Sequence, residues 1–326
     1  MRVKALCSGV VLWATLANVA CAAQPASQWL QRLQVAQDTQ AYQGAFVYER
    51  KGAFSTHQIW RQSNADKQLV ERFLQLNGPA HEVVRIDGRV TCMAGSMADA
   101  LSLTDIWPVQ AFDVQQVQKW YEIREVGESR VAGRNTVVLL FEPRDQHRYP
   151  IELHIDEATA VPLKTLLLNE QGQLLERFQF VQFQADNDSN LVVSAQPGVV
   201  PSADCQAVPA VPAMSDLELD VDWSVSWVPP GFTLISSHYR QSEDSSNNVL
   251  SQIYSDGLAH FSVFFESVDN VEVDGGRRQL GPTSVVSRKV ISGKQHVMIT
   301  VVGEIPLGSA ERVALSMPTE LDSLDD

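Results

Sequence analysis

The chain has 326 residues, 44% hydrophobic and 20% charged, with 25 Lys and Arg against 39 Asp and Glu, a formal charge of −14. That length exceeds a usual single hydrophobic core, so two domains are expected. The acidity argues against nucleic acid as a partner, and anionic lipid would have to be met by a local basic patch.

Met1-Arg2-Val3-Lys4, an apolar stretch from Val10 to Val19 and Ala20-Cys21-Ala22-Ala23 have the three parts of a signal peptide, so residues 1–23 are expected to be a leader. Val19-Ala20-Cys21 also resembles the end of a lipobox, which leaves acylation of Cys21 as a second reading. Removing the leader takes two basic residues and no acid, moving the formal charge to −16. The exported protein is then expected in a compartment where disulfides persist, with two cysteines, Cys92 and Cys205. One bridge or two free, part-buried thiols both fit, because spacing does not fix their separation.

Residues 24–196 form the first expected domain. Ser27 is a candidate N-cap, followed by Trp29, Leu30, Leu33 and Ala36 on one helical face. The period then changes to two. Strand-like runs fall at 45–48, 57–60, 69–74, 82–86, 137–141, 151–155, 163–168 and 175–183, with turn residues such as Asn77-Gly78-Pro79, Asp87-Gly88, 169–172 and 186–190 between them. One large, mainly antiparallel sheet is expected, and it must curl to bury a face. Val114, Val117 and Trp120 suggest a helix packed into its concave side. Pro197, Gly198, Pro201, Pro209 and Pro212 mark a semi-extended linker over 197–214. The second domain, 215–317, repeats the strand signal at 233–236, 249–254, 261–266, 284–291 and 296–302. It ends in a helix capped by Ser309, with an acidic tail at 318–326.

Motifs of the common hydrolases, zinc peptidases and disulfide exchangers are missing from the sequence. His81-Glu82 lacks a second ligand four residues on, Asp186–Asn190 lacks the glycine and bidentate Glu of a calcium loop, and His147 and His154 have no spaced companions. No catalytic residue, metal or cofactor is expected. What remains is apolar surface: Phe46, Tyr48, Trp60, Phe73, Leu74, Phe178 and Phe180, with Leu76 and Phe183, lie in strand-like runs. They read either as ordinary core or as the lining of an acyl-chain pocket in a curled half-barrel.

The runs 42–48 (YQGAFVY), 71–85 (ERFLQLNGPAHEVVR), 127–134, 143–149 (PRDQHRY) and 172–180 resemble the first domain of the RseB/MucB family. Those at 227–232 (WVPPGF), 254–258 (YSDGL) and 301–306 (VVGEIP) resemble its second. Pro150 and Ala160 depart from the family's glycines. The resemblance implies a mainly β (α+β) chain, in which an open antiparallel barrel like those of the lipoprotein carriers LolA and LolB is wrapped on helices and joined to a smaller sheet-and-helix domain. It implies a non-enzymatic periplasmic regulator that binds the periplasmic region of a membrane anti-sigma factor and shields it from the site-one protease. Lipopolysaccharide or another acyl lipid would release it. On that reading Arg277, Arg278, Arg288 and Lys289, with Lys294 nearby, or alternatively Arg72, Arg85 and Arg89, are candidates for an anionic headgroup. Trp227, Phe232 and Tyr254 are candidates for the partner. Self-association stays open, and a periplasmic lipid or lipoprotein carrier is the alternative function.

Overall fold

The computed structural model describes residues 26–95, 114–186, 201–208, 223–240, 249–268, 275–292 and 295–318. The expected leader, Lys294, residues 187–190, most of the expected linker and nearly all of the acidic tail lie outside these ranges.

Helix α1 (Ala26–Thr39) buries Trp29, Leu30, Leu33 and Ala36, the stripe read from the sequence. Its first residue precedes Ser27, which therefore sits in the first turn and not at the cap. Strands β1 (Tyr42–Arg50), β2 (Ala53–Ser63), β3 (Leu69–Gln75), β4 (Glu82–Ile86) and β5 (Arg89–Ala94) follow as meandering hairpins. At the β4–β5 turn Asp87 and Gly88 both take positive φ, as a tight hairpin of this sequence requires. After α2 (Val114–Trp120) come β6 (Tyr121–Val131), β7 (Arg134–Pro143), β8 (Ile151–Asp156), β9 (Pro162–Leu168) and β10 (Leu174–Ala185). Buried Ala160 adopts φ +59, the region a glycine would favour, so the turn before β9 keeps a glycine-like geometry without one.

β1 pairs with β10, which joins the two meanders and a short β11 (Gln206–Ala207) into one sheet in the order β11-β5-β4-β3-β2-β1-β10-β9-β8-β7-β6. β6 approaches β10, four strands away in that order, so the sheet curls, and α1 packs against α2 and β6 within the curl. Inward residues of the strands and α1 form one core cluster.

β11 (Gln206–Ala207) comes from the stretch expected to be linker. It pairs with β5, and Cys205 bonds Cys92 across a Cα–Cα distance of 5.6 Å. The prolines there forbid helix and interior strand, yet Gln206 and Ala207 carry free N–H groups and can extend an edge.

The second sheet has the order β12-β13-β14-β17-β16-β15. Its strands are β12 (Thr233–Arg240), β13 (Val249–Ser255), β14 (His260–Ser267), β15 (Gly276–Leu280), β16 (Thr283–Ser292) and β17 (Gln295–Gly303). Helix α3 (Leu307–Leu315) packs on one face over β15, β16 and β17 and buries Ala310, Val313 and Ala314. Pro306, not Ser309, occupies its N-cap. Ser309 is buried and bonds His147 of the first domain instead. No helix among the described residues is long and apolar enough to cross a membrane.

Candidate functional site

The two domains meet along a seam whose ends differ. At one end the loop after β7 carries Arg148 into the second domain. The guanidinium lies 4.8 Å from the rings of both Trp120 and Phe232, and its Nη2 donates to the Pro230 carbonyl at 2.6 Å. Its side chain is 0% exposed and pairs at 2.5 Å with Asp145 and with Asp256, whose side chain is also 0% exposed. Such a charge is tolerable in a dry interface only because carboxylates, a carbonyl and two ring faces replace its water. Around it His147 Nδ1 lies 2.8 Å from Ser309 Oγ, and the Tyr149 hydroxyl donates to the Ile305 carbonyl at 3.3 Å. Gly231, at φ +87, lies so close to Trp120 that a Cβ there would overlap the indole.

At the other end the seam is not filled. A cavity of about 520 Å³ separates the concave side of the barrel from the uncovered face of the second sheet, a volume ordinary for a small-molecule site. Leu33, Phe141, Ile151, Leu153, Leu167 and Phe178 line it from the first domain, and Ile235, Ile253, Leu258 and Val302 from the second. Polar groups sit on the same walls: Arg85, His260, and Arg50 bridged to Glu176 at 3.4 Å and to Glu304 at 3.3 Å. Arg50 also donates to Thr283 Oγ1. Burial, then the nearby Glu176, pushes the Tyr48 phenol well above its usual value, so Tyr48 stays neutral.

The residues named for an acyl pocket divide by strand parity. Phe46, Tyr48, Phe73, Phe178 and Phe180 all face the concave side and are buried. Phe46, Phe178 and Phe180 pack against one another at centroid distances of 4.6–6.0 Å and are filled core. Only Phe178 of this set lines the cavity. Trp60 and Leu74 lie on the convex face, because Ile59 and Phe73 beside them take the inward positions. The cavity's apolar lining from the first domain, on α1, β7, β8 and β9, lies in runs that read as ordinary strand or helix core, and nothing in the spacing marks it.

Of the alternative basic set, Arg85 faces inward, shares Glu71 with Arg61 and lines the cavity. Arg72 lies over Trp60 and pairs with Glu82 on the outside, and Arg89 is exposed. Arg277 and Arg278 are exposed on β15, with Arg277 held by Glu311 of α3 at 2.6 Å. Arg288 and Lys289 are half-buried on β16, and none of these four borders the cavity. Phe232 and Tyr254 are buried against Phe261 in the second core. Trp227 lies beneath Arg312 at 4.0 Å and edge-on to His147. These three therefore hold the seam and the second core together. Among the described residues no group of three His, Cys, Asp or Glu side chains is placed to hold a metal.

Residues 25–208 match the MucB/RseB N-terminal domain and residues 218–318 the MucB/RseB C-terminal domain. The chain is 50% identical over 311 residues to the sigma factor AlgU regulatory protein MucB of Pseudomonas aeruginosa, covering 95% of this chain and 96% of that protein. It is 26% identical over 317 residues to the sigma-E factor regulatory protein RseB of Escherichia coli K12, covering 94% of each. Among solved structures, a Pseudomonas aeruginosa MucA/MucB complex superposes with a TM-score of 0.77 at 49% identity, over 90% of this chain and 99% of that one. A crystal structure of MucB superposes with 0.69 at 48% identity, over 90% and 98%. With two domain matches in order and half its residues shared with one relative over nearly the full length, the chain belongs to the MucB/RseB family.

Proposed function

We propose that this protein is a non-enzymatic periplasmic regulator. It binds the periplasmic region of a membrane anti-sigma factor, shields it from site-one proteolysis, and lets go when an acyl lipid such as lipopolysaccharide enters the cavity on the seam. The first part is supported by the relatives, one of which is named as a sigma factor regulator and was solved with MucA. The lipid part rests on one observation: the cavity takes its walls from both domains.

A ligand shifts a conformational equilibrium only by its differential affinity for the two states. Because Leu153 and Ile253 line one space from opposite domains, anything that fills it acts on how the domains sit. Moving such an equilibrium from 1:99 to 99:1 takes about 5.5 kcal/mol, and each buried methylene supplies about 0.8 kcal/mol. One acyl chain is enough, provided the partner-bound arrangement closes the cavity to it; if both arrangements hold lipid equally, nothing shifts. The chain superposes more closely on the MucA-bound relative, at a TM-score of 0.77, than on MucB alone, at 0.69.

Calorimetry of the mature protein with the periplasmic segment of the same organism's anti-sigma factor, with and without lipopolysaccharide, tests this. Binding weakened by the lipid is the expected result. Segment binding that lipid leaves unchanged sinks the release step, and no segment binding in either condition sinks the regulator reading in favour of a lipid carrier.

A further inference from the structure

Two sheets among the described residues have four edges, and three are guarded. β6 carries Glu122, Arg124, Glu125, Glu128 and Arg130. β11 is two residues long and tied down next to a disulfide. β15 places two arginines in five residues. Charge, brevity and covalent anchoring all keep a foreign strand from pairing.

β12 is the least guarded of the four, its one charged residue being Arg240 at its very end. It pairs only with β13 among the described residues, and from Thr233 to Tyr239 it holds no acid, Lys, Arg or Pro. Ser236 to Arg240 keep an unbroken register, so five consecutive residues present a regular row of backbone groups outward. Leu234 and Ile235, beside the bulge that precedes this run, are 49% and 44% exposed. Ile235 also lines the cavity on the seam.

We infer that the free edge of β12 receives an extended segment of the anti-sigma factor's periplasmic region as a seventh strand, whose apolar side chains cover Leu234 and Ile235. This rests on the regulator reading above and adds where the partner sits and in what conformation. Backbone hydrogen bonds supply the affinity and alternate side chains the selectivity. A second copy of this chain is the poorer occupant, because each carries a formal charge of −14. The location also gives lipid a route to act: an acyl chain in the cavity and a strand beside β12 both touch Ile235.

The test uses the full mature protein and overlapping synthetic peptides tiling the periplasmic segment of the same organism's anti-sigma factor. The tightest binder is then N-methylated at one backbone nitrogen at a time. Strand addition predicts alternation, with methylation at every second residue weakening binding about five-fold, since one backbone hydrogen bond is worth about 1 kcal/mol net, and the intervening residues tolerant. Leu234→Lys and Ile235→Lys, both at exposed positions, should each abolish binding while circular dichroism stays unchanged. Peptide binding without alternation, or indifferent to both lysines, overturns the β12 site and leaves the regulator reading standing. Binding by neither the peptides nor the whole periplasmic segment removes both. Self-association that either lysine prevents would assign the edge to a second copy and overturn the proposal.

Discussion

Two arginines cross the seam between the domains, and they do so on opposite terms. Arg148 is wholly enclosed, with two carboxylates, a carbonyl and two rings around it, whereas Arg50 is 27% exposed and reaches Glu176 and Glu304 at 3.3–3.4 Å on the rim of an unfilled cavity. The same chemistry makes a fixed joint at one end and a loose closure at the other. A buried ion pair has little net worth but is costly to break, while a part-exposed one is screened and easily exchanged for water. If lipid parts the domains as proposed, Arg148 is where they should stay joined and Arg50 where they should open.

The largest expected effect breaks the enclosed end. Arg148→Ala leaves Asp256 buried without its partner, and urea unfolding should show a loss of about 3–5 kcal/mol, with small-angle scattering reporting a wider spread of domain arrangements. A loss below about 1 kcal/mol would mean that water reaches this end and that the two ends are alike.

A buried titratable group away from the seam sharpens the comparison. Burial lowers the His57 pKa from 6.5 to about 4. Below pH 6.5 the unfolded chain takes up a proton that the folded chain refuses, so His57 should remove up to about 3 kcal/mol of stability as pH falls from 6.5 to 4 and nothing further below that. In His57→Gln the unfolding free energy should be flatter across this window. An unchanged slope would move the source of acid sensitivity to other groups, such as His147 at the seam, whose pKa burial also lowers.

Disturbing the Arg148 end by shape alone should cost less than disturbing its charge. Gly231→Ala forces a methyl into the Trp120 ring at a positive φ, for an expected loss of about 1–3 kcal/mol in the same urea assay. The smallest effect belongs to the open end: Arg50→Gln should change stability by less than about 1 kcal/mol. If Arg50→Gln cost as much as Arg148→Ala, the cavity end would not be the one that opens.

Much of the fold was legible because alternation and turn residues are local signals. The four buried residues of α1 were all readable from their spacing, although its start was not, and β8 was readable to within one residue of its end. β6 escaped because an edge strand spaced with charges shows no apolar alternation, and β15 because Arg277-Arg278 reads as surface charge. The site was less legible. Parity could not be assigned before register, so Trp60 and Leu74 were grouped with residues on the other face of the sheet. Arg148 stood inside a recognised run, yet its partners Pro230 and Asp256 lie 82 and 108 residues away, beyond any spacing argument.

The bond between Cys92 and Cys205 also sets a leash. It fastens the chain to the first sheet as far as Val208, so the covalent tether to Trp223 of the second domain spans fifteen residue steps, at most about 50 Å end to end. A second domain that leaves the seam stays at high effective concentration beside it, so opening is intramolecular and quickly reversible. Reducing that one bond would free more chain, dilute the departed domain, and turn a brief opening into a longer one.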